Sequence, residues 1–184
     1  MDSFFIDDET EPFRIVATFE NGGRLFIHKN VSERDSDYHK LHAAALFFAK
    51  QGRHVVLTPK LTRSPNFEYA HIYGSLMGTK YEGKCPDMLI DGKWYEHEGF
   101  TSDNPKNAFR NMLTHGLKQA SRLIIEDPKL TDGYMLRCIY GRIKIGLDID
   151  EIYLHEDNGN FRCLYKNKTS INEIDACGQR IGSH

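Results

Sequence analysis

The sequence predicts one α/β domain spanning residues 1–184, a mixed central sheet flanked by helices, and three observations carry that prediction. From Asp35 onward, stretches with helical spacing of apolar residues alternate with short strand-like runs. Pairs of these runs are joined by turn signals, Asp91-Gly92 and Asp157-Asn158-Gly159. The chain has 184 residues, 40% hydrophobic and 27% charged, which suits one ordinary domain and excludes wholesale disorder.

Residues 1–12 are polar and acidic apart from Phe4, Phe5 and Ile6, and are expected to form a flexible arm. Arg14 to Glu20 and Arg24 to His28 read as strands of a hairpin across Asn21-Gly22-Gly23. Asp35 to Gln51 reads as a helix, with Tyr38, Leu41, Ala44, Ala45, Phe48 and Ala49 in period and Gly52 as its stop. His54 to Thr58 is β-branched and ended by Pro59, so a buried strand is expected. Lys60 to Gly83 holds Pro65, Gly74 and Gly78 and predicts a short helix within a long loop.

Pro86 to Glu98 contains two strand-like runs around a two-residue Asp91-Gly92 turn. Pro105 to Ala120 predicts a helix with Pro in its first turn, followed by a short strand at Leu123 to Ile125. Asp132 to Gly146 predicts another helix, and Ile149 to Leu154 with Phe161 to Tyr165 a terminal hairpin. Residues 172–184 are polar and are expected to fray.

No apolar run reaches the length of a membrane helix, and the opening residues lack a basic n-region, so neither a membrane span nor a secretory leader is expected. Cys85, Cys138, Cys163 and Cys177 are widely spaced with no C-x-x-C pair, which reads as reduced thiols in a cytoplasmic protein. The formal charge is -2, but residues 1–37 carry 9 acids against 4 bases, leaving a mildly basic body that permits a polyanionic substrate.

The chemistry concentrates on the Asp91-Gly92 hairpin. A two-residue loop sets Ile90 opposite Lys93, Leu89 opposite Trp94, Met88 opposite Tyr95 and Asp87 opposite Glu96. Alternation then puts Glu98 and Trp94 on the face of Glu96, with Tyr95 and His97 on the other. Three carboxylates converge on one face. Like charges so placed destabilise a sheet by roughly 0.2–1 kcal/mol per pair, so the acids are either solvated beside Lys84 and Lys93 or hold a cation. A hard cation such as Mg²⁺ suits the second case, since it binds one or two carboxylates and bridges to phosphate oxygens.

Pro86-Asp87 and Glu96 on the following strand resemble the PD-(D/E)xK nuclease superfamily, and the helix-strand-strand-strand-helix-strand order of residues 35–126 is similar to its restriction-endonuclease-like core. The first and last hairpins would be additions to that core. The run from Ala45 to Glu126 resembles the C-terminal tRNA-nuclease domains of CdiA-type contact-dependent inhibition toxins. The residues that carry this are Phe48-Ala49-Lys50-Gln51-Gly52, Pro86-Asp87, Asp91-Gly92, Tyr95-Glu96, Ser102-Asp103-Asn104-Pro105-Lys106-Asn107 and Gly116-Leu117-Lys118-Gln119-Ala120.

The resemblance implies a Mg²⁺- or Mn²⁺-dependent endonuclease, with Asp87, Glu96 and Glu98 as metal ligands and catalytic residues, and Gln119 as a further catalytic residue on the helix after the hairpin. Lys106, Arg110, Lys118 and Arg122 would line a phosphate-tracking groove. RNA, tRNA in particular, is favoured over DNA. Glu98 stands where the superfamily usually has Lys, so the alternative is an inactive nuclease-fold module that binds nucleic acid or a protein partner. Asp37 is not expected to join the site, His97 is expected on the opposite face, and Phe67, Tyr69, His71 and Tyr73 are expected in the core.

Overall fold

The computed structural model describes residues 12–61 and 67–167. The expectations of a flexible arm and a frayed tail therefore fall largely on residues outside the described ones, as does Cys177. Eight strands form one sheet in simple chain order: β1 (Phe13–Thr18), β2 (Arg24–His28), β3 (His54–Leu57), β4 (Met88–Ile90), β5 (Lys93–Glu98), β6 (Arg122–Glu126), β7 (Glu151–His155) and β8 (Phe161–Lys166). The sheet is mixed. The pairs β2–β3, β5–β6 and β6–β7 are parallel, and the other neighbours are antiparallel.

Each parallel step needs a crossover, which α1 (Tyr38–Lys50), α3 (Pro105–Gly116) and α4 (Asp132–Lys144) supply. The short α2 (Phe67–Tyr73) and a 3-10 turn at Gly74–Leu76 fill the connection from β3 to β4. Helix α1 covers one face, where Leu41, Ala44, Ala45 and Phe48 pack on Leu25, Ile27, Val55, Leu57, Met88, Ile90 and Tyr95. Helices α3 and α4 cover Leu123, Ile125, Ile152 and Leu154, which by strand alternation lie on the opposite face. Trp94 and α2 close a third, smaller cluster there around Tyr69 and Tyr73.

The Asp91-Gly92 turn forms as its residues require. Both have positive φ, 46° and 75°, as a two-residue hairpin of this type demands. The Asp91 carboxylate binds the Arg53 guanidinium and accepts the His54 amide at 2.8 Å, tying the turn to β3. The pairings Ile90–Lys93, Leu89–Trp94 and Met88–Tyr95 follow.

Two expectations need correction. The helix after the hairpin ends at Gly116 rather than Ala120, so Lys118 and Gln119 lie in the turn beyond it and Arg122 opens β6. Packing is close at this end: a Cβ on residue 116 would stand 2.7 Å from Leu123 Cδ2 and 3.0 Å from Glu98 Cγ, so only a glycine lets the helix lie this near the sheet. The aromatic group also divides. Tyr69 and Tyr73 are buried, whereas Phe67 is 89% exposed and stacks on the exposed His71.

Candidate functional site

Asp87 precedes β4 and is tied down on three sides. Its carbonyl accepts the Thr58 amide at 3.1 Å, its Oδ2 accepts the His97 amide at 2.9 Å, and its own amide donates to Glu96 Oε2 at 3.3 Å. Thr58 Oγ1 donates to the Pro86 carbonyl at 2.6 Å, fixing the preceding residue as well. The β4–β5 register thus sets Asp87 beside Glu96, and alternation sets Glu98 on the same face. Asp87 is buried; Glu96 and Glu98 are half-buried, with α3 packed over Glu98 at Gly116.

The three acids influence one another. Burial pushes the Asp87 carboxyl up to about 6, against the opposing pull of the His97 amide and Lys60. Burial is also the main cause for Glu96, which Asp87 and Glu98 push further, well above the ordinary carboxylate range. Glu98 is pushed up to about 7 by burial and by Asp87, with Lys60 opposing. Desolvation and like charge act together here, and the charged forms are held at a cost the sheet does not otherwise demand.

Two residues join this group that the hairpin pattern does not reveal. Lys60, just past β3, faces Asp87 and Glu96 and forms an ion pair with Asp37 at 2.8 Å. Burial would lower the Lys60 ammonium, but Asp37, Asp87 and Glu96 outweigh it and hold it above its ordinary range. Asp37 sits at the N-cap of α1, makes no capping hydrogen bond there, and is held below the usual carboxylate range chiefly by Lys60. The expectation that Asp37 stays apart from the site is corrected to that extent. Its chain neighbours carry no signal of this, because the contact depends on how α1 docks on the sheet; the Pro59-Lys60 step out of a buried strand was the available clue.

The remaining predicted residues scatter. Lys106 Nζ lies 5.5 Å and the Arg110 guanidinium 5.9 Å from the Tyr134 ring centre. Arg122 pairs with Asp150 at 3.0 Å, and Lys118 lines a cleft between α3 and α4. Gln119 Oε1 is buried with no hydrogen-bond partner among the described residues. His97 is on the opposite face, as expected, and burial pushes its imidazole down to about 4. None of the three clefts of about 550, 580 and 380 Å³ is lined by Asp87, Glu96 or Glu98.

The donor set is all oxygen, which fits a hard divalent cation and not a thiolate- or imidazole-seeking metal. Among the described residues, no three His, Cys, Asp or Glu side chains form a ready-made ligand group. Mg²⁺ does not need such a cage, because it takes one or two carboxylates and completes its shell with water and phosphate oxygens.

No family model matches the chain, and no curated protein does. Among solved structures the chain is similar to one chain of a CdiA-CT/CdiI toxin and immunity complex from Burkholderia pseudomallei, with a TM-score of 0.45 and 16% identity over 74% of this chain and 93% of that one. Among the described residues, no helix is long and apolar enough to cross a membrane.

Proposed function

We propose that this protein is a divalent-metal-dependent phosphodiesterase acting on nucleic acid, RNA before DNA. The observation that supports this is the grouping of Asp87, Glu96 and Glu98 on one face of the central hairpin, with protonation levels raised by burial and by one another. Asp87, Glu96 and Glu98 would hold Mg²⁺ or Mn²⁺, which when bound polarises a phosphoryl oxygen and acidifies water.

The chain's own groups do the rest. Asp87 is held by the His97 amide, so its carboxylate keeps one orientation. Glu98 would either complete the metal's shell or take a proton from the attacking water. Lys60 would supply the positive charge that the acid-x-Lys lysine usually brings, since Glu98 holds that lysine's place in the chain. Its side chain is 64% exposed and paired with Asp37 at 2.8 Å, and its ammonium would meet a phosphate oxygen from that position.

The test is cleavage of labelled tRNA and of plasmid DNA with Mg²⁺ or Mn²⁺, beside Asp87→Ala and Glu96→Ala controls. Cleavage that survives both substitutions removes the assignment. A second reading, an inactive module that binds nucleic acid or a protein partner, draws on Glu98 in the lysine position and on the absence of a ready-made ligand group among the described residues. Calorimetry separates the two: no heat of Mg²⁺ or Mn²⁺ binding favours the module.

A further inference from the structure

The parallel strands β5, β6 and β7 end at one edge of the sheet, and a cleft of about 380 Å³ opens there against α1. Lys40, Ala43, Phe100, Glu126 and His155 are among the residues that line it. Open α/β sheets bind ligands outside the carboxyl ends of such strands, and the volume is ordinary for a small-ligand site.

Two stretches of chain tie this cleft to the acids of the central hairpin. Phe100 follows Glu98 by two residues, and His39, which also lines the cleft, follows Asp37 by two. Each is therefore within about 7 Å, by chain reach, of Glu98 or of the Asp37–Lys60 pair. Glu126 anchors the first stretch. A Cβ on residue 99 would stand 3.3 Å from Glu126 Oε1, and the Phe100 amide donates to Glu126 Oε2 at 3.3 Å. The backbone of Phe100 is thus held in place while its side chain stays 52% exposed.

The lining suits an uncharged, planar occupant. Its three acids are already paired, Glu126 with Lys40, Glu156 with Arg162 at 3.2 Å and Asp157 with Lys129 at 3.1 Å. Those carboxylates make a poor seat for a phosphate, yet they keep lone pairs that can accept from the amino edge of a base. An exposed Phe ring offers a stacking face to any base.

Resting on the phosphodiesterase reading above, we propose that this cleft takes the unpaired base of a nucleotide beside the scissile phosphate, stacked on Phe100, so that the protein acts on single strands and loops before duplex. A base inside a duplex is already stacked and paired, and must be drawn out at a cost before it can reach the ring; an unpaired base turns out cheaply.

Binding and cleavage are tested separately. A short fluorescein-labelled single-stranded RNA, and the same strand annealed to its complement, are titrated with the full chain in EDTA and followed by anisotropy. Both are then incubated with the protein and Mg²⁺ or Mn²⁺. The single strand should bind and be cut about tenfold better than the duplex, and Phe100→Ala should remove about that factor on the single strand alone. Phe100→Tyr should keep it, whereas Ala43→Leu, which fills the cleft from an exposed helix position, should lose it. Equal handling of single strand and duplex, or single-strand binding unchanged by Phe100→Ala, overturns the proposal. Metal-free binding that depends on Phe100, with no cleavage by any form, supports the base cleft and removes the phosphodiesterase. Cleavage that needs Asp87 and Glu96 but is indifferent to Phe100 does the reverse.

Discussion

Two acids on opposite faces of the same sheet, Glu151 buried and Glu96 half-buried, are treated in opposite ways. Glu151, on the α1 face, accepts the Tyr95 hydroxyl, accepts the Tyr153 hydroxyl at 3.2 Å and lies 3.5 Å from Lys166 Nζ. Glu96, on the other face, accepts one amide at 3.3 Å and otherwise confronts Asp87 and Glu98, with Lys60 as the opposing cation. Glu151 is held by donors, which is what a carboxylate needs to be structural. Glu96 is held among like charges, which together with burial disfavour its ionised form. Burial alone therefore does not decide how an acid is held; the sign of its neighbours does.

That contrast can be broken by substitution. The largest effect is expected on activity: Glu96→Gln or Asp87→Asn should lower cleavage by about a thousandfold or more, while leaving the fold intact or slightly more stable. An unfolded Glu96→Gln variant would place Glu96 with Glu151 as a structural acid. Glu151→Ala should do the reverse, costing about 2–4 kcal/mol in urea unfolding because Tyr95 and Tyr153 lose a buried partner. Any loss of activity it causes should be recovered at lower temperature.

Gly116→Ala tests the lid over the acids. The new Cβ would meet Leu123 and Glu98, so a loss of about 1–3 kcal/mol is expected, read as a lower urea midpoint. The smallest effect is on pH dependence. Glu98 has a folded value near 7 against an ordinary 4.5, so the folded state binds its proton more tightly. Its favourable contribution is complete below about 4.5 and is lost as pH rises through 7. Glu98→Gln should flatten that decline, raising Tm at pH 8 by about 2–4 °C. Added Mg²⁺ should raise the wild-type Tm at pH 8 more than that of the variant.

The sheet's central hairpin was legible because its information is local. Asp91-Gly92 names the turn, a two-residue turn sets the register, and a period of two decides which side chains share a face. Asp87, Glu96 and Glu98 follow from that with no tertiary knowledge. The end of α3 was not legible, because Lys118-Gln119-Ala120 continues a helical pattern, whereas the helix ends at Gly116, packed against Leu123 and Glu98. The neighbours of the basic residues were not legible for the same reason: Lys106 and Arg110 lie beside Tyr134, and Arg122 pairs with Asp150, across chain separations that no spacing reports.

By itself the sequence determined the mixed α/β architecture, the strand register around Asp91 and the shared face of three acids. Only the tertiary structure decided that Lys60 meets Asp37. These two lie 23 residues apart and meet because α1 packs its Leu41–Phe48 face across β2 and β3, carrying its N-terminus to the end of β3. A turn and an alternation are set by neighbouring backbone dihedrals, whereas an ion pair between two elements exists only once burial of their apolar faces has fixed how they dock.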